Sequence, residues 1–171
     1  MTVLRDGFAA MRGVSPELAA QLQGWLDQLA VVAEQSDAMP LCFSHGDFTY
    51  TQLIFDGTSS GLVDFDTVCQ AEPAIDLGQF LAYLRVAVQK AHRNAAQAQT
   101  GLADELGEAF YDAYVAAADT WLADEEQLRA RTSVYEIVSL LRLALHSWQK
   151  LKAARIQNVL AVLEERMACL Q

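Results

Sequence analysis

The sequence predicts a mainly α-helical domain with one small β-hairpin. Over most of the chain, apolar residues recur at the spacing of helices that bury one face. Between residues 41 and 66 this pattern stops, and two short apolar runs flank the turn-rich segment 56–60, which is typical of a hairpin. Hydrophobic residues make up 53% of the 171 residues, enough for the core of one domain.

Helix boundaries are indicated by capping residues and by apolar stripes. Ser15, Pro16 and Glu17 predict a helix start, with the serine as N-cap and proline in the first turn, and this helix ends near Gln35. Residues 1–14 are predicted to be a short leader. Four further helices are predicted over residues 73–92, 104–119 (with Leu106, Phe110 and Tyr114 inward), 125–151 and 152–170, with a loop near 94–100.

Composition and charge exclude several classes of protein. A net charge of −10 argues against a nucleic-acid surface and weakly favours a cationic small molecule as partner. No apolar run approaches the ~20 residues of a membrane span, and no signal peptide is recognisable, so we expect a cytoplasmic protein. Three cysteines without a CxxC pair predict buried thiols rather than disulfides or a zinc site.

The unusual polar residues are concentrated in segments 44–52, 63–66 and 72–77. The hairpin between the first two segments returns the chain to its starting level, so we expect Asp47 and Asp64 to lie close together in space. Two converging carboxylates can hold a divalent metal and orient a nucleophile. The residues alone leave open whether the reaction is phosphoryl transfer or hydrolysis.

The order of these segments resembles a known catalytic core. His-Gly-Asp at 45–47, a hairpin, Asp-Phe-Asp at 64–66 and Pro-Ala-Ile-Asp-Leu at 73–77 are similar to the aminoglycoside phosphotransferase and choline/homoserine kinase superfamily, relatives of the protein kinases. The resemblance covers residues 15–171 and implies the C-terminal lobe of a protein-kinase-like α+β fold. Its implied parts are a catalytic loop at 44–52, a metal loop at 63–66 and a helical subdomain at 73–171.

The resemblance also implies a role for each acidic residue. Asp47 corresponds to the catalytic-loop aspartate that orients the acceptor hydroxyl and takes its proton. Asp64 corresponds to the aspartate that binds the Mg²⁺ bridging the nucleotide phosphates. His45 and Asp66 would be structural supports of the site, and Asp76 would accept backbone hydrogen bonds from the catalytic loop.

Two departures from the family pattern bear on activity. Gln52 stands where the family has asparagine, the second metal ligand, and its stem is longer by about 1.5 Å, the length of one bond. Only 46 residues precede Asp47, and they contain neither a glycine-rich loop nor a lysine for the nucleotide phosphates. The resemblance implies Mg²⁺ and ATP, but with the N-terminal lobe absent we expect this chain alone to bind them weakly or not at all. Residues that bind the nucleotide stay unknown.

Three functions therefore compete. The first is a lobe of an ATP-dependent phosphotransferase that transfers the γ-phosphoryl group to a small-molecule hydroxyl and is inactive alone. The second is a stand-alone, non-catalytic binding or interaction module derived from that lobe. A metal-dependent hydrolase would need further His or Asp ligands at helical spacing, which the sequence lacks.

The partners are predicted only by class. The acceptor is a small molecule, which acidic residues of the later helices would bind if it is cationic, although the same residues would also suit a solvated face. Without an N-terminal lobe, apolar residues near the hairpin should be exposed and should drive formation of a homo-oligomer. The acidic residues are Asp104, Glu105, Glu108, Asp112, Asp124, Glu125 and Glu126, and the apolar ones are Leu41, Phe43, Leu53, Ile54 and Phe55.

Overall fold

The computed structural model describes residues 1–94, 101–118, 122 and 124–170. Within these ranges the helices are α1 (Thr2–Met11), α2 (Pro16–Gln35), α3 (Ala74–Asn94), α4 (Leu102–Ala118), α5 (Glu125–Gln149) and α6 (Ala153–Ala168). The strands are β1 (Cys42–Ser44), β2 (Leu53–Phe55), β3 (Ser60–Leu62) and β4 (Cys69–Ala71). The predicted mainly helical fold with a small hairpin is confirmed.

Helices α3 and α5 form the centre of the domain. At Gly78 the two helices approach so closely that a Cβ atom would lie 2.5 Å from the backbone nitrogen of Glu136. Apolar residues of α1, α2 and α6 pack around this pair in one continuous core. A smaller cluster, which includes Leu77, Tyr111 and Leu128, attaches α4 to the same central helices. The beginning of α3, which carries Asp76, is thereby held rigidly.

Most of residues 1–14, predicted as a leader, belongs to helix α1 and to the core. Leu4, Phe8 and Met11 follow one another at helical spacing and are all buried. Gly7 faces α5 so closely that a Cβ atom there would clash with the Leu145 side chain. The segment therefore contributes to the stability of the domain.

Several local predictions need correction. The Ser15 hydroxyl does not cap α2; it accepts a hydrogen bond of 3.1 Å from Trp148 Nε1. In α4, Leu106 is 42% exposed, whereas Gly107 and Tyr111 are buried, because Gly107 gives room for the Leu81 side chain. The pairing of β1 with β4 was not predicted.

The exposure of the cysteines differs from the prediction. Cys69 and Cys169 are exposed and Cys42 is half-buried, contrary to the expected buried thiols. None of the described helices combines the length and the hydrophobicity that crossing a bilayer requires. Apart from Asn94, the predicted loop at 94–100 lies outside the described residues, as does position 119, where α4 was predicted to end.

Candidate active site

The two acidic loops lie side by side because the strands that border them pair. Strand β1 leads into the first loop, residues 44–52, and β4 leaves the second loop, residues 63–66. These strands are antiparallel, with Ser44 opposite Cys69. Between the loops, β2 and β3 form the predicted hairpin. These two short strand pairs thus place the first acidic loop beside the second.

His45 connects the two loops through both ring nitrogens. Its Nδ1 accepts a hydrogen bond from the Asp47 backbone N–H at 3.4 Å, so the proton resides on Nε2, which donates to the Val63 carbonyl at 3.0 Å. The side chain is buried against the Phe65 ring, with 5.2 Å between ring centroids. Because both nitrogens are engaged, the imidazole is a link between loops, not a base facing an open cleft.

Asp76, in the first turn of α3, fixes the start of the first loop, residues 44–52. Its Oδ2 accepts from the His45 backbone N–H at 2.6 Å and its Oδ1 from that of Gly46 at 2.9 Å. Gly46 has φ +80° and lies against the Thr67 carbonyl, where a Cβ atom would clash. These are the backbone contacts that the resemblance implies for Asp76; their importance for catalysis stays a prediction.

Asp47 lies at the wall of a cleft of about 400 Å³. Gln79 Nε2, one turn after Asp76 on α3, donates a hydrogen bond to Asp47 Oδ1. Among the described residues no hydrogen bond to the second oxygen, Oδ2, is found. The carboxylate is thus oriented through one oxygen, while the other is available to a ligand in the cleft.

The second loop holds Asp64 in an unusual backbone conformation. Asp64 has φ 69° and ψ 56°, a left-handed conformation that residues other than glycine adopt rarely and that is enriched at functional sites. Its side chain is exposed, as is that of Asp66. The Asp66 side chain forms no hydrogen bond or ion pair with the described part of the chain, so its supporting role stays a prediction.

Gln52 lies at the end of the first loop with its amide oxygen engaged. The oxygen accepts hydrogen bonds from the hydroxyls of Thr49 and Thr51, the latter at 3.1 Å. The backbone carbonyl of Gln52 accepts a hydrogen bond from the backbone N–H of Val63 at 3.1 Å, which holds Gln52 beside the second loop. A metal ion would compete with the two hydroxyls for the amide oxygen.

The donor set fits magnesium in its chemistry. No group of three or more His, Cys, Asp or Glu side chains converges as a metal site within the described ranges. Mg²⁺ in phosphate-transfer sites needs only one or two carboxylates, because waters and substrate phosphates complete its octahedron. The carboxylate of Asp64 and the amide oxygen of Gln52 are suitable hard ligands.

Sequence reasoning missed the other residues around Asp47. Gln79 was detectable in principle, since it lies three residues after Asp76 and so on the same face of α3. Tyr83 follows one turn later, and Arg142 of α5 and Arg155 of α6 also line the cleft. Nothing in the local sequence indicates that these two arginines approach Asp47.

The pKa of Tyr83 provides a test of this geometry in solution. Burial raises the pKa of Tyr83, and the negative charge of Asp47 adds to the rise. We therefore expect Asp47→Asn to lower the Tyr83 pKa, measured from the pH dependence of the ¹³Cζ shift in tyrosine-labelled protein. Asp66→Asn, an exposed control of equal charge change, should leave it unaltered; an equal effect of both variants would contradict the proximity.

A helical core with two small antiparallel strand pairs is a fold similar to that of small-molecule kinases with the protein-kinase-like fold. The profile of the phosphotransferase enzyme family (APH) matches residues 4–131. The chain belongs to this family, and the resemblance to the aminoglycoside phosphotransferase and choline kinase superfamily is confirmed. A search of curated protein sequences found no significant match.

Fifteen solved chains match in structure. A glucosamine kinase superimposes with a TM-score of 0.71 at 20% identity, over 98% of this chain and 46% of the kinase chain. An ethanolamine kinase of Plasmodium vivax matches with a TM-score of 0.54 at 16% identity, over 86% of this chain and 39% of the other. The chain thus spans less than half of each of these kinases, and at such identities the likeness establishes the fold alone.

Proposed function

We propose that the chain is the C-terminal lobe of an ATP-dependent phosphotransferase that transfers the γ-phosphoryl group to the hydroxyl of a small molecule. The observation that carries the proposal is the linkage of the two acidic loops by His45, with Asp47 facing a cleft beside them. Phosphoryl transfer depends mainly on positioning, which such a rigid pair of loops supplies, and on neutralising charge, which requires a bound metal ion and cationic groups.

In this proposal Asp47 acts on the acceptor directly. The acceptor hydroxyl donates a hydrogen bond to Asp47 Oδ2 and gives up its proton to this carboxylate as its oxygen bonds to the γ-phosphorus of ATP, while the bond from that phosphorus to the bridging oxygen breaks and ADP leaves. Gln79 holds Oδ1, which leaves Oδ2 for the acceptor. Asp76 fixes the loop through the His45 and Gly46 amides.

Asp64 and Gln52 would hold magnesium. When bound, the ion neutralises charge on the nucleotide phosphates. Asp64 provides a carboxylate, and Gln52 provides an amide oxygen once its threonine hydrogen bonds are released.

This chain by itself is expected to be inactive. Its lysines are Lys90, Lys150 and Lys152, all beyond the acidic loops in sequence, and no glycine-rich segment is present to bind a triphosphate. Calorimetric titration with ATP and Mg²⁺ should show little or no binding. An ATP-consumption assay with glucosamine, ethanolamine, choline and aminoglycosides should show no turnover. Micromolar nucleotide affinity, or turnover of any acceptor, would contradict this expectation.

In a longer, active form of the enzyme, replacing Asp64 and replacing Asp47 should have different effects on activity. Asp64→Asn removes the metal ligand and should weaken nucleotide binding, whereas Asp47→Asn should leave nucleotide affinity largely intact and reduce kcat. Separate measurements of ATP affinity and single-turnover rate distinguish the two. Equal loss of nucleotide affinity in both variants would refute the division of roles.

A non-catalytic binding module is the second candidate, and the state of Gln52 favours it. Its amide oxygen is already engaged by two threonine hydroxyls, and the longer side chain suits the strict geometry of Mg²⁺ less well than asparagine does. If the lobe is such a module, Mn²⁺ should not bind a longer form that includes an N-terminal lobe, either with or without ATP. Electron paramagnetic resonance measures Mn²⁺ binding. Tight Mn²⁺ binding in the presence of ATP would exclude it.

We also propose that the chain self-associates through its exposed strands. Phe43 of β1 is 72% exposed and Phe55 of β2 is 71% exposed, with Leu41, Leu53 and Ile54 beside them in sequence. Exposed apolar residues of this size commonly form interfaces. Light scattering should detect a dimer or larger species, and Phe43→Ser with Phe55→Ser should shift it towards monomer. A clean monomer at high concentration would argue against this association.

A further inference from the structure

Two clefts beside Asp47 share a wall. The smaller contains Asp47 and Gln79, and the larger, of about 730 Å³, extends along α3 to the beginning of α6. Tyr83, Leu143 and Arg155 line both clefts. The larger cleft therefore lies directly beside the one that contains Asp47.

The larger cleft is basic although the chain carries a net charge of −10. Its charged lining residues are Lys90, Arg93, Lys152 and Arg155, and among the described residues that line it there is no Asp or Glu. Asp47 is the one carboxylate among those lining the smaller cleft, where Arg142 also lies. The chain thus concentrates cations at the very place where an acceptor of the proposed reaction would bind.

These cations are not neutralised by carboxylates. Within the described part of the chain, no ion pair involves Lys90, Arg93, Lys152 or Arg155. Arg93 donates to the neutral amide oxygens of Asn158 and Gln157, at 3.1 and 3.0 Å, which orient the guanidinium without cancelling its charge. The larger cleft therefore carries four basic side chains that form no ion pair within the described part of the chain.

None of the seven acidic residues expected to face a cationic acceptor lines either cleft, and three of them form ion pairs with arginines elsewhere. Asp104 pairs with Arg85 at 2.5 Å, and Glu108 pairs with Arg129 at 2.8 Å. Neither carboxylate is among the residues that line the two clefts. The positive charges beside Asp47 favour a negatively charged ligand.

We propose that the acceptor is an elongated alcohol with an acidic group, a carboxylate or phosphate monoester, at its far end. Lys90, Arg93 and Lys152 bind the acidic group while the hydroxyl lies at Asp47. Lys90 follows Gln79 by 11 residues, a distance of about 16 Å along α3, so a short amino alcohol would not reach both ends. The inference rests on the proposed function and gives its substrate class.

Calorimetry on the full chain at low ionic strength tests the charge preference without ATP. The probes are trehalose 6-phosphate against trehalose, maltobionate against maltitol, and choline as a cation. We expect at least one acidic sugar to bind about tenfold more tightly, or better, than its neutral counterpart and than choline. The affinity of the acidic sugar should fall as salt is added. The stronger of the two acidic probes identifies the preferred group. Equal affinities across the series would overturn the proposal.

A matched pair of double variants locates the effect. Lys90→Gln with Lys152→Gln should weaken binding of the acidic sugar about tenfold. Arg12→Gln with Lys150→Gln removes the same charge from exposed positions that line neither cleft and should leave affinity unchanged. Circular dichroism verifies that both fold. Equal weakening in the two would show a general charge effect and refute the site.

Two further outcomes separate this inference from the proposed function. If the chain binds ATP with Mg²⁺ and loses it in the Lys90 and Lys152 variant, the cations serve nucleotide phosphates and the acceptor assignment is refuted. If the acidic sugars bind in the cleft but an active longer form transfers no phosphoryl group to any alcohol, the proposed function fails while the acidic-ligand site stands. If a longer form transfers the phosphoryl group to choline and the chain binds no acidic sugar, the proposed function stands and the acidic-ligand site is refuted.

Discussion

Replacing Arg131 with methionine is expected to lower the free energy of unfolding of this chain by about 3–5 kcal/mol. Arg131 donates to both carboxylate oxygens of Glu72, each at 2.6 Å, and both side chains are buried. Without the guanidinium, Glu72 would keep an uncompensated charge away from water. Urea denaturation followed by far-UV circular dichroism measures the loss.

The double variant Glu72→Gln with Arg131→Met is the control. Replacing both members of a buried ion pair is often nearly neutral, so the double variant should recover most of the stability lost by Arg131→Met. If the double variant were as unstable as the single one, the loss would come from packing of the arginine stem and not from the stranded charge.

The same ion pair supports the candidate site. Glu72 immediately precedes Pro73 and α3, and the Ile75 N–H donates to the Glu72 carbonyl at 3.1 Å. Arg131 also donates to the Ser36 hydroxyl at 3.2 Å, which joins the end of α2 to this junction. Because Asp76 lies in the first turn of α3, any shift of the junction moves the carboxylate that holds the catalytic loop.

Phe8→Ala is the second change with a large expected effect, again a loss of about 3–5 kcal/mol. Phe8 is fully buried and belongs to the core that joins α1 to the central helices. Truncation removes most of the buried side chain and leaves a cavity between packed helices. The same urea titration measures the change.

Val3→Ala on the same helix is the matched control. Val3 is 79% exposed, so its truncation should change stability by less than about 0.5 kcal/mol. Equal and small effects at both positions would mean that α1 is not part of the cooperative unit, as a leader would be.

The elements were predictable where one face of a helix is continuously apolar. Helices α2, α3, α5 and α6 and the β2–β3 hairpin follow from spacing and turn residues in the sequence. Helix α1 was missed because it has only 10 residues, and because Gly7 on this helix packs against Leu145 of α5, which lies far along the chain. In α4 the stripe was misjudged because a buried glycine, Gly107, has no hydrophobic signal.

The site was predictable only as far as its residues are close in sequence. The order of the three segments indicated Asp47, Asp64 and Asp76, and the structure brings their loops together through strand pairing and hydrogen bonds. The cations of the clefts come from α3, α5, α6 and the residue that precedes α6, Lys152, and the relative positions of these helices depend on the whole core. Their convergence has no local signature.

The packing of α1 against α5 has a consequence for synthesis of the chain on the ribosome. Gly7 and its partner Leu145 are separated by 138 residues, so α5 leaves the ribosome long after α1. At translation rates of about 5–20 residues per second, α1 waits on the order of 10 s for the surface that covers it. Until then Leu4, Phe8 and Met11 of the nascent chain lack the part of their cover that α5 provides in the folded core.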